Sequence, residues 1–337
     1  ADLRGYLSKG GLDSAIYADS SPNPRDDEIA AGKAQYSAGG HDGIIAIGGG
    51  SGMDGGKALA LCANNDLDLW AFEYEQSAPD MTWHPAFPPL ITIPTTAGTG
   101  AETESTAMIT DTLRKMKWCI WHAELKPTFA VLDPEITLGL PVKLTAWTGV
   151  DAMVHAIEAY CVPGFNPLCD GLALEGLRLV GRWLPVAVAE PSNLEARGAM
   201  LAGSCLSGIA FLKGLGLVHA ISHMVGAEYD TQHGLTNAVV LPAALRHNAP
   251  ALADKIEPLS QAMGLRDTSF EAFYAHVCAI LDQVGIPKTL TDIGVPSDCA
   301  ARIADKALQD SAAGTNACAL TAQDIERVIA VALTKGR

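Results

Sequence analysis

Residues 43–57 read Gly-Ile-Ile-Ala-Ile-Gly-Gly-Gly-Ser-Gly-Met-Asp-Gly-Gly-Lys and are followed by Ala-Leu-Ala-Leu-Cys. The apolar run 43–47 shows no polar alternation, which is typical of a strand covered on both faces of a parallel sheet. The glycines after it form a turn, and the following segment has helical character. A helix that starts at a glycine turn presents bare backbone N–H groups to an anion. This order predicts an α/β nucleotide-binding half with a Rossmann-like parallel sheet.

The glycine turn has the form Gly-x-Gly-x-x-Gly at 50–55, which formally matches the dinucleotide fingerprint. The fingerprint also expects an acidic residue at the end of the next strand. Residues 64–70 read Asn-Asn-Asp-Leu-Asp-Leu-Trp instead, which is not typical of a strand end. We therefore interpret the turn as a pyrophosphate loop outside the ordinary Rossmann type. The alternative is a plain turn in which Ser51 or Asp54 caps the helix.

A second glycine-containing loop, Thr-Thr-Ala-Gly-Thr-Gly at 95–100, directly follows the apolar run 89–94. Its glycines and hydroxyl groups suit a second wall of a cofactor site. The alternative is a plain connecting loop.

The character of the chain changes after about residue 139, where strand-type runs end and Ala/Leu-rich amphipathic segments begin. We predict strands at 14–17, 43–47, 89–94, 105–110, 117–121 and 128–132. We predict helices at 1–9, 26–37, 143–160, 168–190, 194–211, 215–227, 251–264, 268–285, 297–309 and 322–334. The pattern predicts two domains, an α/β dinucleotide-binding domain over 1–138 and an all-helical domain over 139–337.

The 337-residue chain contains 48% hydrophobic and 18% charged residues, which is typical of a globular protein with a large core. Its net charge of −15 and pI near 4.9 argue against a nucleic-acid partner or an anionic membrane surface, since both require basic patches. No apolar run is long enough to cross a bilayer. The eight cysteines stand singly, without a Cys-x-x-Cys pair, which indicates reduced thiols in a cytoplasmic protein.

Three of the nine histidines fall between residues 219 and 233, in an otherwise apolar stretch. His219 and His223 are four residues apart, so a helix places them on one face. His233 follows a polar break, as if a second segment returned to the same point, and Asp151 with His155 forms another pair at helical spacing. One carboxylate and three imidazoles suit a divalent transition metal. Either pair alone is better explained as a helix ion pair or as core histidines, but both pairs together favour a metal site.

Several motifs, spread in order over nearly the whole chain, resemble those of the iron-containing (group III) alcohol dehydrogenase family. They are Gly48-Gly-Gly-Ser51-x-x-Asp54-x-x-Lys57, Pro94-Thr-Thr-Ala-Gly-Thr-Gly100, Asp151-x-x-x-His155-x-x-Glu158, Gly216-x-x-His219-x-x-x-His223 and His233-Gly-x-x-Asn237. Several spaced motifs in the same order are more specific than a single pattern. The resemblance implies the two-domain architecture that this family shares with dehydroquinate synthase, with metal binding and catalysis in the helical domain.

The resemblance also implies the roles of particular residues. The ligands of one Fe(II), or of zinc as in some relatives, would be Asp151, His155, His219 and His233. His223 would be the unligated histidine beside the substrate. The nucleotide would contact Gly49, Gly50, Ser51, Asp54, Thr95, Thr96 and Thr99, with Lys117 near the nicotinamide. Family members usually begin earlier, with a strand whose acidic end helps to select the cofactor. That strand is absent from this numbering, so the cofactor is expected to be NAD or NADP, with the preference between them open.

The implied reaction is a reversible hydride transfer between a metal-stabilised alkoxide and nicotinamide in a cleft between the two domains, with His223 relaying the proton. The expected substrate is a small alcohol or aldehyde. As a further hypothesis, Lys213 contacts an anionic substrate tail; the alternative is a solvated lysine at a helix start.

Other functions stay open at this point. They are a glycerol dehydrogenase-like or maleylacetate reductase-like enzyme, a non-redox synthase-like relative, and a binding protein without catalysis. A homo-oligomer, a dimer or higher, is expected from the family resemblance.

Overall fold

The structure, a computed structural model, describes residues 2–337. Contacts between residues divide the chain into two compact units. The first contains the residues up to Pro94 together with Ala101–Val131, and the second contains Thr95–Gly100 and Leu132–Arg337. The predicted domain boundary between residues 138 and 139 lies a few residues after this division. The Thr95–Gly100 loop, expected in the first domain, belongs to the second unit because its glycines pack closely against helices there.

The first unit contains a parallel sheet and a separate hairpin. Strands β1 (Ile44–Gly48), β2 (Leu90–Pro94) and β5 (Phe129–Ala130) pair in parallel in the order β1-β2-β5. Strands β3 (Thr106–Asp111) and β4 (Met116–Trp121) form the antiparallel hairpin. The strand predicted at 14–17 is wrong, because this segment pairs with no strand of the described chain. It is held instead by a side chain, since the Tyr17 hydroxyl donates a hydrogen bond to the carbonyl oxygen of Glu28 at 2.6 Å.

Three helices belong to the first unit: α1 (Asp2–Lys9), α2 (Asp26–Gly39) and α3 (Gly50–Ala63). α3 begins two residues after β1, as the strand and glycine pattern predicted. The close approach of α3 to the sheet requires a glycine at position 56, because a Cβ atom there would lie 2.3 Å from the Cβ of Ala46. Met53 and Leu61 of α3 are completely buried, so one face of the helix joins the core of this unit.

The second unit is helical. Its longer helices are α4 (Val142–Cys161), α5 (Pro167–Ala189), α6 (Leu194–Ala210), α7 (Leu217–Tyr229), α8 (His233–Asn248), α9 (Ile256–Ala262), α10 (Phe270–Gln283), α11 (Ala300–Ala307) and α13 (Ala322–Thr334). The short helix α12 covers Ser311–Gly314. α4 is buried on all sides from Thr148 to Cys161, and α5, α6 and α8 pack against it.

α8 is a helix that the sequence patterns did not predict. Its residues from Gly234 to Leu245 are all buried, so the segment has no polar face to reveal a helical period. Pro242 also lies inside it, and proline ordinarily ends a helix. Helical structure in this segment therefore depends on its being enclosed by the neighbouring helices.

Among the described residues, no single helix is long and apolar enough to span a membrane. The two segments Leu194–Lys213 and Leu217–Tyr229 together have the length and apolar composition of a membrane span, but a bend of 102° separates them.

Candidate metal centre

Three helices of the second unit bring the predicted ligand side chains to one point. α4 carries Asp151 and His155, α7 carries His219, and α8 begins at His233. One ligand atom from each of the four side chains lies within 4.8 Å of the others. The Oδ1 atom of Asp151 lies 3.6–3.8 Å from the Nε2 atom of each histidine. The segments whose sequence spacing suggested a common site therefore do converge.

The donor set fits a divalent transition metal. Bonds of roughly 2.0–2.2 Å in tetrahedral geometry separate two ligand atoms by about 3.3–3.6 Å, close to the 3.6–3.8 Å between Asp151 Oδ1 and the three Nε2 atoms. Asp151, His155 and His219 are buried, and His233 is partly exposed. A buried carboxylate surrounded by imidazoles is costly without a cation to neutralise it. We therefore regard the cluster as a site whose chemistry matches a metal.

Burial favours the neutral form of His155 and His219, two histidines of the cluster. Burial is the main cause that lowers the pKa of His155, and it lowers the pKa of His219 well below the usual value, with the neighbouring imidazoles adding to the effect. A neutral imidazole nitrogen has the lone pair that a metal requires. The same burial that disfavours a proton therefore favours a metal.

Each Nδ1 atom of the three histidines has a partner on the side away from Asp151. His155 Nδ1 lies 3.2 Å from the carbonyl oxygen of Gly98, and His219 Nδ1 lies 2.7 Å from Glu158 Oε2. His233 Nδ1 lies 3.5 Å from the hydroxyl of Ser222. Such outer partners hold the ring orientation of metal ligands. The sequence patterns did not predict these partners, because they lie far along the chain or use backbone atoms.

Asn237 is a further polar residue at the centre of the cluster. It follows His233 by one turn of α8, and its Nδ2 atom lies 2.7 Å from Asp151 Oδ1. The same atom lies 3.1 Å from the Nε2 atoms of His219 and His233. Asn237 belongs to a motif noted in the sequence, but its contacts with three ligand residues could not be read from the motif.

His223, the predicted catalytic residue, lies beside the four-residue cluster. Its ring stacks on that of His233 with 5.4 Å between centroids, and its side chain is 39% exposed. His223 Nδ1 lies 3.0 Å from Asp310 Oδ2. The other carboxylate oxygen of Asp310 caps α12 by accepting a hydrogen bond from the backbone N–H of Ala312. A carboxylate held by a helix start thus orients an imidazole that solvent can reach.

Comparison with known proteins places this arrangement in a family. Residues 1–134 match the sequence model described as "Iron-containing alcohol dehydrogenase", and residues 145–333 match "Fe-containing alcohol dehydrogenase family, C-terminal". The chain belongs to the iron-containing alcohol dehydrogenase family. The predicted family is confirmed, and the chain is therefore a metal-dependent alcohol dehydrogenase, an oxidoreductase.

Individual relatives agree with this assignment. The chain is 35% identical to the NAD-dependent methanol dehydrogenase of Bacillus methanolicus over 334 residues, which cover 97% of this chain and 86% of the relative. It is 38% identical to the 4-hydroxybutyrate dehydrogenase of Cupriavidus necator over 330 residues, which cover 95% of this chain and 85% of the relative. Its fold matches the crystal structure of a 1,3-propanediol oxidoreductase with a TM-score of 0.93 and 34% identity, covering 98% and 87% of the two chains. The predicted fold class is confirmed by these structural matches.

Lys213 does not have the surroundings that the substrate hypothesis requires. Its Nζ atom lies 2.6 Å from Asp170 Oδ1, and its side chain is only 5% exposed. The ammonium group of Lys213 is therefore already paired with a carboxylate of the enzyme, which removes the reason to expect an anionic substrate tail there. The alternative of a solvated lysine is also wrong, because the side chain is buried.

The glycine turn of the first unit leaves the start of α3 without a side-chain cap. Gly49 occupies the cap position, and among the described residues it provides no side-chain cap for the first turn of the helix. Ser51 donates a hydrogen bond to the carbonyl oxygen of Pro22, and Asp54 Oδ2 accepts one from the backbone N–H of Met108 at 3.2 Å. The alternative in which Ser51 or Asp54 caps the helix is therefore wrong. Gly50, the first residue of α3, and Gly49 lie where an anion would meet the helix start.

Lys117 lies on β4 and is exposed. Its Nζ atom lies 3.2 Å from Asn23 Oδ1, in the same turn that contacts Ser51 through Pro22. No sequence pattern predicted a role for Asn23. The turn at 21–24 thus links two of the residues predicted to bind the nucleotide.

The loop at 95–100 packs tightly in the second unit. A Cβ atom at Gly98 would lie 2.5 Å from Thr148, and Gly100 has φ +69° with Gly208 close by, so both positions require glycine. Thr95, Thr96 and Thr99 are partly buried. The Thr96 hydroxyl oxygen is buried without a hydrogen-bond partner among the described residues. Through the Gly98 carbonyl this loop also contacts a candidate metal ligand, so it is more than a connection.

Proposed function

We propose that this chain interconverts small primary alcohols and aldehydes with a nicotinamide cofactor, using iron held by Asp151, His155, His219 and His233. The observation that carries the proposal is the convergence of the four donor atoms within 4.8 Å. NAD is the expected cofactor, since the methanol dehydrogenase relative is described as NAD-dependent. The glycine turn before α3, with Gly49, Gly50, Ser51 and Asp54, and the residues Thr95, Thr96, Thr99 and Lys117 are proposed to bind it.

The side chains supply a site with net positive charge once a divalent cation is bound, because Asp151 contributes the single negative charge among the four ligands. A metal there supplies Lewis acidity, which lowers the cost of negative charge on an alcohol oxygen. The three imidazoles would hold the metal through Nε2, because Nδ1 of each faces its outer partner.

His223 is the proposed proton carrier. Asp310 accepts from its Nδ1 atom, which leaves Nε2 available to exchange a proton with substrate or water. Its partial exposure gives that proton a path to solvent.

The substrate class follows from the relatives, whose descriptions name methanol, 1,3-propanediol, 4-hydroxybutyrate and lactaldehyde. All are small hydroxy or aldehyde compounds, so we propose a short-chain substrate. A cytoplasmic location and assembly into a homo-oligomer, a dimer or higher, stay predictions from the sequence.

The test combines catalysis with stability in the same purified protein. Nicotinamide absorbance is followed with short-chain aldehydes and either NADH or NADPH, before and after chelation and after anaerobic addition of Fe(II) or Zn(II). We expect reduction to be lost on chelation and restored by one of the two metals. We also expect chelation to lower the unfolding free energy by about 2.7 kcal/mol relative to protein with metal at 100 times its dissociation constant.

Nucleotide binding after chelation is the control, and it should persist because the glycine turn contains none of the proposed ligands. Reduction that continues after complete metal removal would contradict the proposal. Nucleotide binding without turnover under any condition would favour the synthase-like or binding-only alternatives.

A further inference from the structure

Glu158 is a buried carboxylate that the proposed reaction does not yet use. It lies on α4, three residues after His155, and faces the first turn of α7. Its Oε1 atom accepts a hydrogen bond from the backbone N–H of Val218 at 2.7 Å, and Oε2 accepts one from Gly216 at 3.0 Å. Oε2 also lies 2.7 Å from His219 Nδ1. One side chain therefore holds both the start of α7 and the ring of a proposed ligand on that helix.

The start of α7 is built around this carboxylate. The backbone N–H of Leu217 donates to Asn316 Oδ1 at 3.1 Å, so Glu158 and Asn316 together satisfy the first donors of the helix. The positive end of the helix dipole favours a carboxylate there. A Cβ atom at Gly216 would lie 2.8 Å from Glu158 Oε1, so the close contact depends on glycine at this position.

The contacts on both sides of the His219 ring determine which nitrogen carries the proton. Asp151 Oδ1 can only accept, so the Asn237 amide atom 2.7 Å from it must be the donor Nδ2. The same Nδ2 atom lies 3.1 Å from His219 Nε2, so Nε2 must be the acceptor there. The proton then resides on Nδ1, where the Glu158 carboxylate accepts it. This one tautomer satisfies the contacts on both sides of the ring.

We propose that Glu158 is a positioning residue that fixes His219 in the Nδ1–H tautomer, so that the Nε2 lone pair points at the metal position before any metal binds. The inference rests on the proposed role of His219 as a ligand. Outer partners of this kind typically account for 10- to 100-fold in metal affinity, because they orient the ring and increase its basicity.

The test compares two substitutions that weaken the same helix start. Glu158→Gln replaces one acceptor oxygen by an NH2 donor. Depending on the orientation of the amide, this donor faces either His219 Nδ1 or the N–H of Val218, and the negative charge is lost in both cases. Asn316→Ala removes a cap of α7 but does not contact His219. Metal dissociation constants are measured by competition with a chromophoric chelator, and thermal unfolding is measured on the metal-free proteins.

We expect Glu158→Gln to weaken Fe(II) or Zn(II) binding by about 10- to 100-fold. Asn316→Ala should lower the melting temperature but keep the dissociation constant within about twofold, because it shares no hydrogen bond with the ligands. Equal losses of metal affinity in the two variants would overturn the proposal, since the loss would then come from weakening the start of α7 and not from the tautomer of His219.

A second measurement reads the tautomer directly in the wild-type protein. Nitrogen NMR of histidine-labelled, metal-free wild-type protein, with His219 assigned from a His219→Gln sample, reports which ring nitrogen is protonated. We expect Nδ1 to carry the proton, and an Nε2–H tautomer would overturn the proposal. Wild-type protein that shows the Nδ1–H tautomer but binds no metal would contradict the proposed function while leaving the role of Glu158 in the tautomer intact.

Discussion

Single residues in this protein act through partners that lie far along the chain. Asp310 is 87 residues from His223, and Asn237 is 86 residues from Asp151. In both pairs the distant residue presents a polar atom to a side chain that has to keep one orientation. Because a proton carrier must point its free nitrogen at the reacting group, the partner of His223 should matter for the reaction rate.

Asp310→Asn tests the role of this partner. The substitution keeps an oxygen for the cap of α12 but replaces the carboxylate that orients His223. We expect kcat to fall by about 10- to 100-fold, a part of the usual contribution of acid–base catalysis, with metal affinity unchanged. Steady-state kinetics and chelator competition measure the two quantities.

The matched control is Asp305→Asn, which removes an exposed carboxylate from the neighbouring helix α11. It should leave kcat unchanged. An Asp310→Asn enzyme with full kcat would show that His223 needs no orienting carboxylate.

At the scale of elements, α4 shows why polar residues can lie in the middle of a core. The helix is enclosed on all sides, yet Asp151, His155 and Glu158 find partners on α7, on α8 and in the loop at 95–100. Burial without those partners would be strongly unfavourable. The helices of the second unit are therefore tied together by the same polar contacts that form the metal centre.

The contact between Lys213 and α5 has a similar role, through its ion pair with Asp170. Lys213→Met leaves that carboxylate partly buried and unpaired, so we expect the unfolding free energy to fall by about 1–3 kcal/mol. The ratio of kcat/KM for neutral and acidic aldehydes should stay the same, since the ammonium group is not available to substrate. Denaturant unfolding and kinetics with both aldehyde classes check the two expectations.

The exposed Lys143→Met variant serves as the control for loss of a lysine. Adding Asp170→Asn to Lys213→Met should recover part of the lost stability, because it removes the unpaired charge. A change in aldehyde preference in Lys213→Met alone would restore the substrate hypothesis.

At the scale of the whole molecule, a second group of buried charges affects how stability varies with pH. Lys57 is fully buried in the first unit, donates to the carbonyl oxygen of Thr106 at 2.6 Å and lies 3.3 Å from Asp54. Glu102 is 3% exposed, and burial raises its pKa to about 7, although Lys57 acts in the opposite direction. The folded state therefore holds a proton on Glu102 at pH values where the unfolded chain has released it.

This difference has a definite sign. Between about pH 4.5 and pH 7 the folded protein binds more protons at Glu102 than the unfolded chain does. The free energy of unfolding is therefore highest at low pH, as far as Glu102 is concerned, and decreases as the pH rises toward 7. Glu102→Gln cannot titrate. We expect its unfolding free energy, relative to wild type, to increase by roughly 1–3 kcal/mol from pH 5 to pH 8.

Denaturant unfolding at several pH values measures this difference. Glu124→Gln, which changes an exposed glutamate, should run parallel to wild type over the same range. A Glu102→Gln curve that also runs parallel to wild type would show that Glu102 titrates alike in the folded and unfolded states.

Local patterns in the sequence predicted much of this protein. The buried strand at 43–47 and its glycine turn predicted α3, and the spacing of Asp151 with His155 and of His219 with His223 predicted shared helix faces. These features depend on residues a few positions apart, so backbone geometry alone relates them. The family resemblance added the ligand set, the catalytic histidine and the cofactor loops as expectations.

Only the tertiary structure decided which distant groups meet. α8 lacks a helical period because it is enclosed, the segment at 14–17 finds no strand to pair with, and Lys213 is neutralised by Asp170. The contacts of Glu158 with His219, of Asp310 with His223 and of Asn237 with Asp151 join residues that lie 61, 87 and 86 positions apart. Such contacts depend on how whole helices pack, and no spacing within one segment records that packing.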